Sequence, residues 1–281
     1  MTPPLPKHFP LACDAHMHIF DAQQDTTPTG IADATVPMYR ALQAQMGTQR
    51  TVVVQPRPYG LDNTLLLRSL ASLGAHQTRG VVVVHPGISD AQLEAMHLAG
   101  VRGVRMTLYT PKKAVVSMDM LEPLAQRIAP LGWHVQLHLS AQQIVEQADV
   151  LRRLPCPVVF DHCARLPVPH PTQHPAFAVV ADLLVREKAW LKLSGAHFCT
   201  VLDKTRADIN YYDVEPIVHA LIAAAPSRMV WGSDWPFITE GLNGELKPNA
   251  LRLLALLCQW VGDEALLERI LVDNPARLYG F

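Results

Sequence analysis

The stretch LACDAHMHIF, residues 11–20, is predicted to be a short strand that carries two histidines two residues apart. Side chains alternate between the two faces of a strand, so His16 and His18 are expected to point the same way. Two imidazoles on one face at the end of a strand can hold a metal ion or act on a reacting oxygen. A His-x-His pair alone is a weak pattern, because two ordinary strand histidines produce it as well. Its meaning depends on the partners that the rest of the chain supplies.

Apolar and β-branched runs recur along the chain and alternate with segments of helical character. Seven of them are predicted as further strands, at residues 50–56, 80–86, 101–108, 133–139, 156–162, 190–194 and 228–234. Eight strands alternating with helices at these spacings are typical of right-handed β-α-β units in the α/β class, which close into a (β/α)8 TIM barrel. An open doubly wound sheet is the alternative, and it is disfavoured because no Gly-x-Gly-x-x-Gly follows the first strand.

The composition favours one large folded domain. Of the 281 residues, 49% are hydrophobic and 17% charged, which is enough apolar material for a large core and argues against disorder. No domain boundary is visible. We therefore predict a single barrel domain over residues 1–281, with residues 1–10 as a Pro-rich N-terminal arm.

Charge and cysteine content exclude several classes of partner. A net charge of −1 without a basic stripe makes nucleic acid and anionic membrane poor partners. No apolar run approaches the roughly 18 residues of a membrane span, and the N-terminus lacks the apolar core of a signal peptide. The five cysteines are odd in number and scattered, as expected of free thiols in a reducing cytoplasm. We predict a cytoplasmic protein that acts on a small molecule, with homo-oligomerisation left open.

Candidate functional residues collect where the predicted strands end. In a barrel of this kind the site is built at the carboxyl ends of the strands. His16 and His18 end the first strand, His138 the fifth, His162 the sixth and Asp234 the eighth. Candidate substrate contacts lie on the fourth strand or just after a strand: Arg105, Arg165, Tyr59, Tyr109 and His197. This convergence is stronger than any single motif.

Four short motifs carry a resemblance to a known family. They are Asp14-Ala15-His16-Met17-His18, Phe160-Asp161-His162, Trp231-Gly232-Ser233-Asp234-Trp235-Pro236 and Asn274-Pro275-Ala276-Arg277-Leu278-Tyr279. The chain resembles the amidohydrolase superfamily over nearly its whole length. More narrowly, it is similar to the branch of lactone hydrolases related to 2-pyrone-4,6-dicarboxylate lactonase.

The resemblance implies a role for each matching residue. In one-metal members of the superfamily the ion would be held by the residues matching His16, His18, His138 and Asp234, while His162 would lie beside the reacting group. Imidazoles and a carboxylate suit one divalent ion, Zn²⁺ above all, with a position left for water. Such an ion lowers the pKa of its water ligand to about 7 and polarises a carbonyl. Asp234 would take the proton of that water as general base.

The chain also departs from the pyrone-dicarboxylate lactonases, which work without a metal and have a tyrosine where His138 stands. His138 therefore favours a metal. The alternative to a metal site stays open: His16, His18 and His162 would then polarise the substrate carbonyl directly, without an ion.

The arginines of that branch are only partly kept. Arg105 and Arg165 match, whereas Pro111 and Phe198 stand where the relatives have arginines, and Phe237 replaces a histidine. Lys112 or Lys113 could compensate. A dicarboxylated pyrone is thus a doubtful substrate, while one or two anionic groups held by Arg105 and Arg165 fit the chemistry of guanidinium.

The predicted function is a hydrolase that opens the lactone ring of a small carboxylated or sugar-acid lactone, or of a muconolactone. Three alternatives stay open: a metal-dependent non-oxidative decarboxylase of the same superfamily, a lactone isomerase, and a binding protein that has kept the pocket. The presence of His16, His18, His162 and Asp234 speaks against the last of these.

Overall fold

The computed structural model describes residues 9–24, 29, 31–110, 112, 114–206, 209–238 and 247–281. Most of the predicted N-terminal arm lies outside the described residues, as do Pro111 and Lys113. Among the described residues, no helix is both long and apolar enough to cross a membrane.

Eight parallel strands form one sheet in chain order. They are β1 (Cys13–Met17), β2 (Arg50–Val54), β3 (Thr78–Val82), β4 (Val101–Thr107), β5 (His134–His138), β6 (Val158–Phe160), β7 (Ala189–Lys192) and β8 (Met229–Val230). The helices are α1 (Val36–Met46), α2 (Thr64–Leu73), α3 (Asp90–Leu98), α4 (Leu121–Ile128), α5 (Ala141–Glu146), α6 (Ala148–Arg153), α7 (Pro175–Val185), α8 (Ala196–Cys199), α9 (Glu215–Ala224), α10 (Ala250–Val261), α11 (Glu264–Glu268) and α12 (Asn274–Tyr279). The predicted (β/α)8 barrel is confirmed.

The eighth strand is shorter than predicted. Met229 and Val230 pair with β7, and the residues that follow them hydrogen-bond to β1. The amide of Ala15 donates to the carbonyl of Trp231 at 2.8 Å, and the amide of Asp234 donates to the carbonyl of His16 at 2.8 Å. These bonds close the barrel and place residues 231–235 beside the first strand.

The barrel interior is packed rather than open. One apolar cluster takes its members from strands all around the barrel and from the last helix: Cys13, Ala15, Val52, Val54, Val81, Val159, Trp190, Val230 and Tyr279. A much larger cluster fills the space between the sheet and the helices. Strands buried on both faces explain why their sequences are nearly continuous apolar runs.

Gly232 is the point where the eighth strand segment lies against the first strand. A Cβ atom at this position would overlap the Cβ of His16 and lie 2.6 Å from the His16 backbone nitrogen. Only a residue without a side chain allows this approach.

We expect Gly232→Ala to lower the free energy of unfolding by about 2–3 kcal/mol, because the added methyl group meets backbone that cannot rotate away. Chemical denaturation monitored by circular dichroism measures this. The matched control is Gly87→Ala, where the nearest atom would lie 3.4 Å away on the side chain of His85, and its stability should stay within about 1 kcal/mol of wild type. Equal stability of the two variants would contradict the packing argument.

Candidate active site

Three histidines surround one oxygen of Asp234. The Nε2 atoms of His16 and His18 each lie 3.4 Å from Asp234 Oδ1, and Nε2 of His162 lies 3.8 Å from it. All four side chains are buried. The ends of β1, β6 and β8 thus bring together four residues that are up to 218 positions apart in the sequence, between His16 and Asp234.

The backbone is strained at two of these residues, His162 and Asp234. Asp234 has a φ of 62°, and His162, Cys163, Ala164 and Arg165 all have φ between 51° and 55°. Non-glycine residues rarely adopt the left-handed region, and such conformations persist where the surrounding structure holds them at functional sites. This conformation turns the chain sharply after β6 and after β8, where His162 and Asp234 lie.

The hydrogen bonds of the histidines determine which ring atoms face the carboxylate. His18 donates its Nδ1 hydrogen to the carbonyl of Val54 at 2.8 Å, which leaves a lone pair on Nε2 when the ring is neutral. Nδ1 of His16 lies 3.3 Å from Asp161 Oδ1, while its buried Nε2 has no hydrogen-bond partner among the described residues. The lone pair on Nε2 of His18 therefore faces Asp234. That of His16 does so when its Nδ1 carries the ring hydrogen toward Asp161 instead of accepting from Lys192 Nζ, 3.4 Å away.

This arrangement fits a cation. Nitrogen and carboxylate ligands of tetrahedral zinc, with bonds of about 2.0–2.1 Å, lie about 3.4 Å apart, which is the spacing between Asp234 Oδ1 and each of the two Nε2 atoms. Metal-bound histidines also commonly donate their second ring hydrogen to a carbonyl or a carboxylate, as His18 does to Val54 and as the spacing allows for His16 and Asp161. His16, His18 and Asp234 thus form a three-residue group able to hold a metal ion.

A second group of potential ligands shares His16 and adds Asp161 and His162. It is the poorer candidate, because Asp161 Oδ2 already accepts hydrogen bonds from Arg105 Nε at 3.3 Å and from Gln136 Nε2 at 3.1 Å. One of the two carboxylate oxygens of Asp161 is therefore already used by neighbouring side chains.

Burial sets the protonation of the site. Loss of solvent lowers the pKa of His16 to about 3, with a further contribution from the charge of Lys192. Burial likewise lowers the pKa of His162 well below its usual value. Burial alone would raise the pKa of Asp234, but His162, His18 and His197 outweigh it and hold that pKa well below the usual range. At neutral pH the site therefore presents the neutral imidazoles of His16 and His162 and the ionised carboxylate of Asp234.

His138, the predicted fourth metal ligand, lies at the edge of this group. Its ring is 4.9 Å from that of His162, centroid to centroid. It does not belong to the group of His16, His18 and Asp234 whose ligand atoms lie within 4.8 Å of one another. Its Nε2 is buried and has no hydrogen-bond partner among the described residues, and burial and the nearby Arg105 lower its pKa to about 3. A neutral ring with a free nitrogen is compatible with ligation, which stays a prediction.

A cavity of about 280 Å³ opens above the carboxylate, and His18, His138, His162 and Asp234 contribute to its wall. This volume is near the lower end for small-molecule sites. Arg165 forms part of the wall and lies between two aromatic rings, with its guanidinium carbon 4.1 Å from the Tyr109 centroid and 4.8 Å from that of Phe198. Its buried Nη1 has no hydrogen-bond partner among the described residues, so it is available to an anionic ligand.

Arg105 also lines the cavity, but its hydrogen bonds are partly used. Nε donates to Asp161 and Nη1 donates to the carbonyl of Gln55 at 3.2 Å. Arg105 is therefore a weaker candidate for substrate binding than Arg165. Arg57, which lies three residues after the end of β2 and was not selected from the sequence, lines the cavity as well.

Two predicted substrate contacts are not among the cavity-lining residues. Tyr59 is buried and stacks on Phe20 with ring centroids 5.4 Å apart. His197 is also buried, and its Nε2 lies 3.5 Å from Asp234 Oδ2. His197 thus contacts the carboxylate of Asp234 without lining the cavity. Lys112, which the sequence offered as a possible substitute for a lost arginine, is exposed.

The sequence analysis missed the buried polar residues beneath the site, above all Lys192 and Gln136. Neither side chain is exposed to solvent. A signal was present, since Lys192 interrupts the apolar run Trp190-Leu191-Lys192-Leu193, in which a surface lysine would be out of place.

Comparison with known proteins identifies the family of the chain. The Amidohydrolase family model matches residues 13–281. The chain is 32% identical over 280 residues to the 2-pyrone-4,6-dicarboxylate hydrolase of Comamonas testosteroni, covering 95% of this chain and 90% of that protein. It is 29% identical over 276 residues to the 4-sulfomuconolactone hydrolase of Rhizobium radiobacter, covering 96% and 90%. It is 27% identical over 273 residues to the D-galactarolactone isomerase of Agrobacterium fabrum, covering 95% and 90%.

The family match spans nearly the whole barrel, and it includes every residue of the group around Asp234. The chain therefore belongs to the amidohydrolase family, in the branch similar to 2-pyrone-4,6-dicarboxylate lactonase.

Proposed function

We propose that this enzyme hydrolyses the lactone ring of a small acid. The observation that carries the proposal is the ionised Asp234, surrounded by three imidazoles at the floor of a small cavity. The cavity wall includes Arg165, which has no carboxylate partner among the described residues. Ester hydrolysis needs a base for water, a group that withdraws electrons from the carbonyl, and an anchor for the rest of the substrate.

Asp234 acts as the general base in this proposal. Water attacks the lactone carbonyl carbon and gives one proton to Asp234. The bond between the acyl carbon and the ring oxygen then breaks, and Asp234 returns the proton to that oxygen. The products are a carboxylic acid, which ionises in solution, and the new hydroxyl group.

His16, His18 and His162 act on the carbonyl oxygen from the same side. When a divalent ion is held by His16, His18 and Asp234, with His138 as the predicted fourth ligand, it supplies Lewis acidity to the carbonyl. The metal-free alternative needs a ring hydrogen on Nε2 to stabilise the oxyanion. His162 supplies one when its Nδ1 accepts from the Ser194 hydroxyl. A neutral His18, by contrast, has its only ring hydrogen on Nδ1, bonded to Val54. In either case His162 stays oriented by its Nδ1, which hydrogen-bonds the Ser194 hydroxyl at 3.0 Å.

Arg165 is the main anchor for a carboxylate on the substrate. Its guanidinium plane is held between Tyr109 and Phe198, so little side-chain freedom is lost when an anion binds. Tyr109 borders the same region, whereas Arg105 contributes mainly through its charge.

Lactone isomerisation is a second candidate, favoured by the similarity to a D-galactarolactone isomerase. It would use the same base but transfer the acyl group to another hydroxyl of the substrate. Screening 1,4- and 1,5-lactones of sugar acids and muconolactones by NMR separates the two, because hydrolysis gives the open acid and isomerisation a second lactone. Release of CO₂ from any substrate would instead indicate decarboxylation.

We expect Asp234→Asn to lower kcat by about 10²–10⁴-fold, because an amide cannot take the proton of water. Steady-state kinetics on the best lactone measures this, and circular dichroism checks the fold. Asp149→Asn is the control, since that side chain is 90% exposed, and its kcat should equal that of wild type. Undiminished hydrolysis by Asp234→Asn would disprove the assignment of the base.

We expect one divalent ion per chain in protein purified without chelators, and a large loss of that ion in His18→Gln. Elemental analysis by mass spectrometry measures both. His76→Gln, at an exposed position, should keep the wild-type metal content. A metal-free preparation with full activity would favour direct polarisation by the histidines.

We expect Arg165→Gln to raise KM for a carboxylated lactone by about 10–100-fold, because the substitution removes a charged hydrogen bond to the substrate carboxylate. The same variant should hydrolyse a neutral lactone of similar size with nearly wild-type KM. An equal loss for both substrates would mean that Arg165 shapes the cavity rather than binding an anion.

A further inference from the structure

A lysine lies fully buried beneath the active site, where the proposed chemistry does not use it. Lys192 is on β7, and its side chain has no exposed area. Nζ donates to the backbone carbonyl of Ala15 at 2.8 Å and to Gln136 Oε1 at 2.7 Å. It also lies 3.4 Å from Nδ1 of His16 and 3.9 Å from Asp161 Oδ1.

These contacts form a chain that ends on a site histidine. The oxygen of the Gln136 amide is held by Lys192, so the amide must direct its NH₂ group the other way. That group donates to Asp161 Oδ2 at 3.1 Å, and Arg105 donates to the same oxygen at 3.3 Å. Oδ1 of Asp161 accepts no other hydrogen bond among the described residues and is left for Nδ1 of His16, 3.3 Å away. The rival partner of that Nδ1 is Lys192 Nζ at 3.4 Å, a longer contact than the 2.7 and 2.8 Å bonds that Nζ donates to the two oxygens.

We propose that Lys192 is a positioning residue for the lactone reaction, which orients His16 through Gln136 and Asp161 and through the Ala15 carbonyl. It fixes the His16 ring so that Nδ1 donates to Asp161 and Nε2 faces Asp234. The expected effect on kcat rests on the proposed function, whereas the expected orientation of the His16 ring does not. It requires only N–H donors, which an amino group has in either charge state.

The geometry gives a reason for a lysine at this place. The backbone of β1 and the amide of Gln136 present two acceptor oxygens on different strands, and a long side chain from β7 reaches both. Lys192 does not line the cavity. Its removal should therefore change the reactive geometry of His16 and leave substrate binding nearly intact.

The test compares Lys192→Met, which keeps an unbranched side chain one atom shorter and removes its donors, with Lys188→Met. Lys188 is exposed and directly precedes β7. In ¹⁵N spectra of the histidine side chains of EDTA-treated protein, His16 of wild type and of Lys188→Met should show the single tautomer with hydrogen on Nδ1. The His16 signals are identified by their loss in His16→Gln. In Lys192→Met the two nitrogen shifts should move toward each other as the tautomers interconvert.

Kinetics supply the second readout. We expect kcat of Lys192→Met to fall by about 10–100-fold, the usual effect of removing a residue that orients a site histidine, with KM within about twofold of wild type. A parallel rise in KM would instead indicate a general collapse of the cavity and would overturn the positioning role.

Because a buried lysine can be essential for folding, Gln136→Leu interrupts the same chain while leaving Lys192 in place. It should reproduce the change in the His16 signals. Unchanged His16 signals in whichever of the two variants folds would overturn the proposal. If no lactone is hydrolysed but the spectra change as expected, the proposed function fails and the positioning role stands.

Discussion

The carboxylate of Asp14 joins the first and last strands of the barrel, and the active site depends on that junction. It accepts the Ser233 backbone hydrogen at 2.8 Å, the Ser233 hydroxyl at 2.7 Å and the Tyr39 hydroxyl at 3.0 Å. Burial raises the pKa of Asp14, and the bonds from Ser233 oppose that rise by stabilising the charge. Asp14 precedes the two histidines of β1, and Ser233 immediately precedes Asp234. One buried carboxylate therefore holds the two segments that supply the group around Asp234 in register.

The floor and the wall of the cavity differ in their charged groups. At the floor, the negative charges of Asp161 and Asp234 are surrounded by Arg105, Lys192 and neutral imidazoles. At the wall, Arg165 contacts aromatic faces and has no carboxylate partner among the described residues. A neutral reacting carbonyl at the floor and an anionic group at the wall match this division. The two aromatic rings explain how an arginine can stay there without a counter-charge, since cation–π contacts stabilise it in part.

Several predictions from the sequence are confirmed: the eight-stranded barrel, the amidohydrolase family and its lactonase-like branch. The convergence of His16, His18, His162 and Asp234 was predicted from their strand-end positions, and the structure brings them together. Their catalytic roles, the ligand role of His138, the cytoplasmic location and the oligomeric state stay predictions. Tyr59 was chosen for its place after β2, yet its ring packs on Phe20, because the position of a residue in a loop does not determine where its side chain points.

The sequence by itself determined the barrel and the identity of the residues around Asp234, because strand periodicity, strand number and motif position are local properties of the chain. Only the tertiary structure decided which polar groups meet across the barrel. Lys192, Gln136 and Asp161 come from three different strands, and their hydrogen bonds exist only after the sheet has closed. The partial commitment of Arg105 to Asp161 and the availability of Arg165 were decided in the same way. Arg105 lies within β4 and Arg165 follows β6. Only their buried neighbours distinguish a structural arginine from one that can bind an anion.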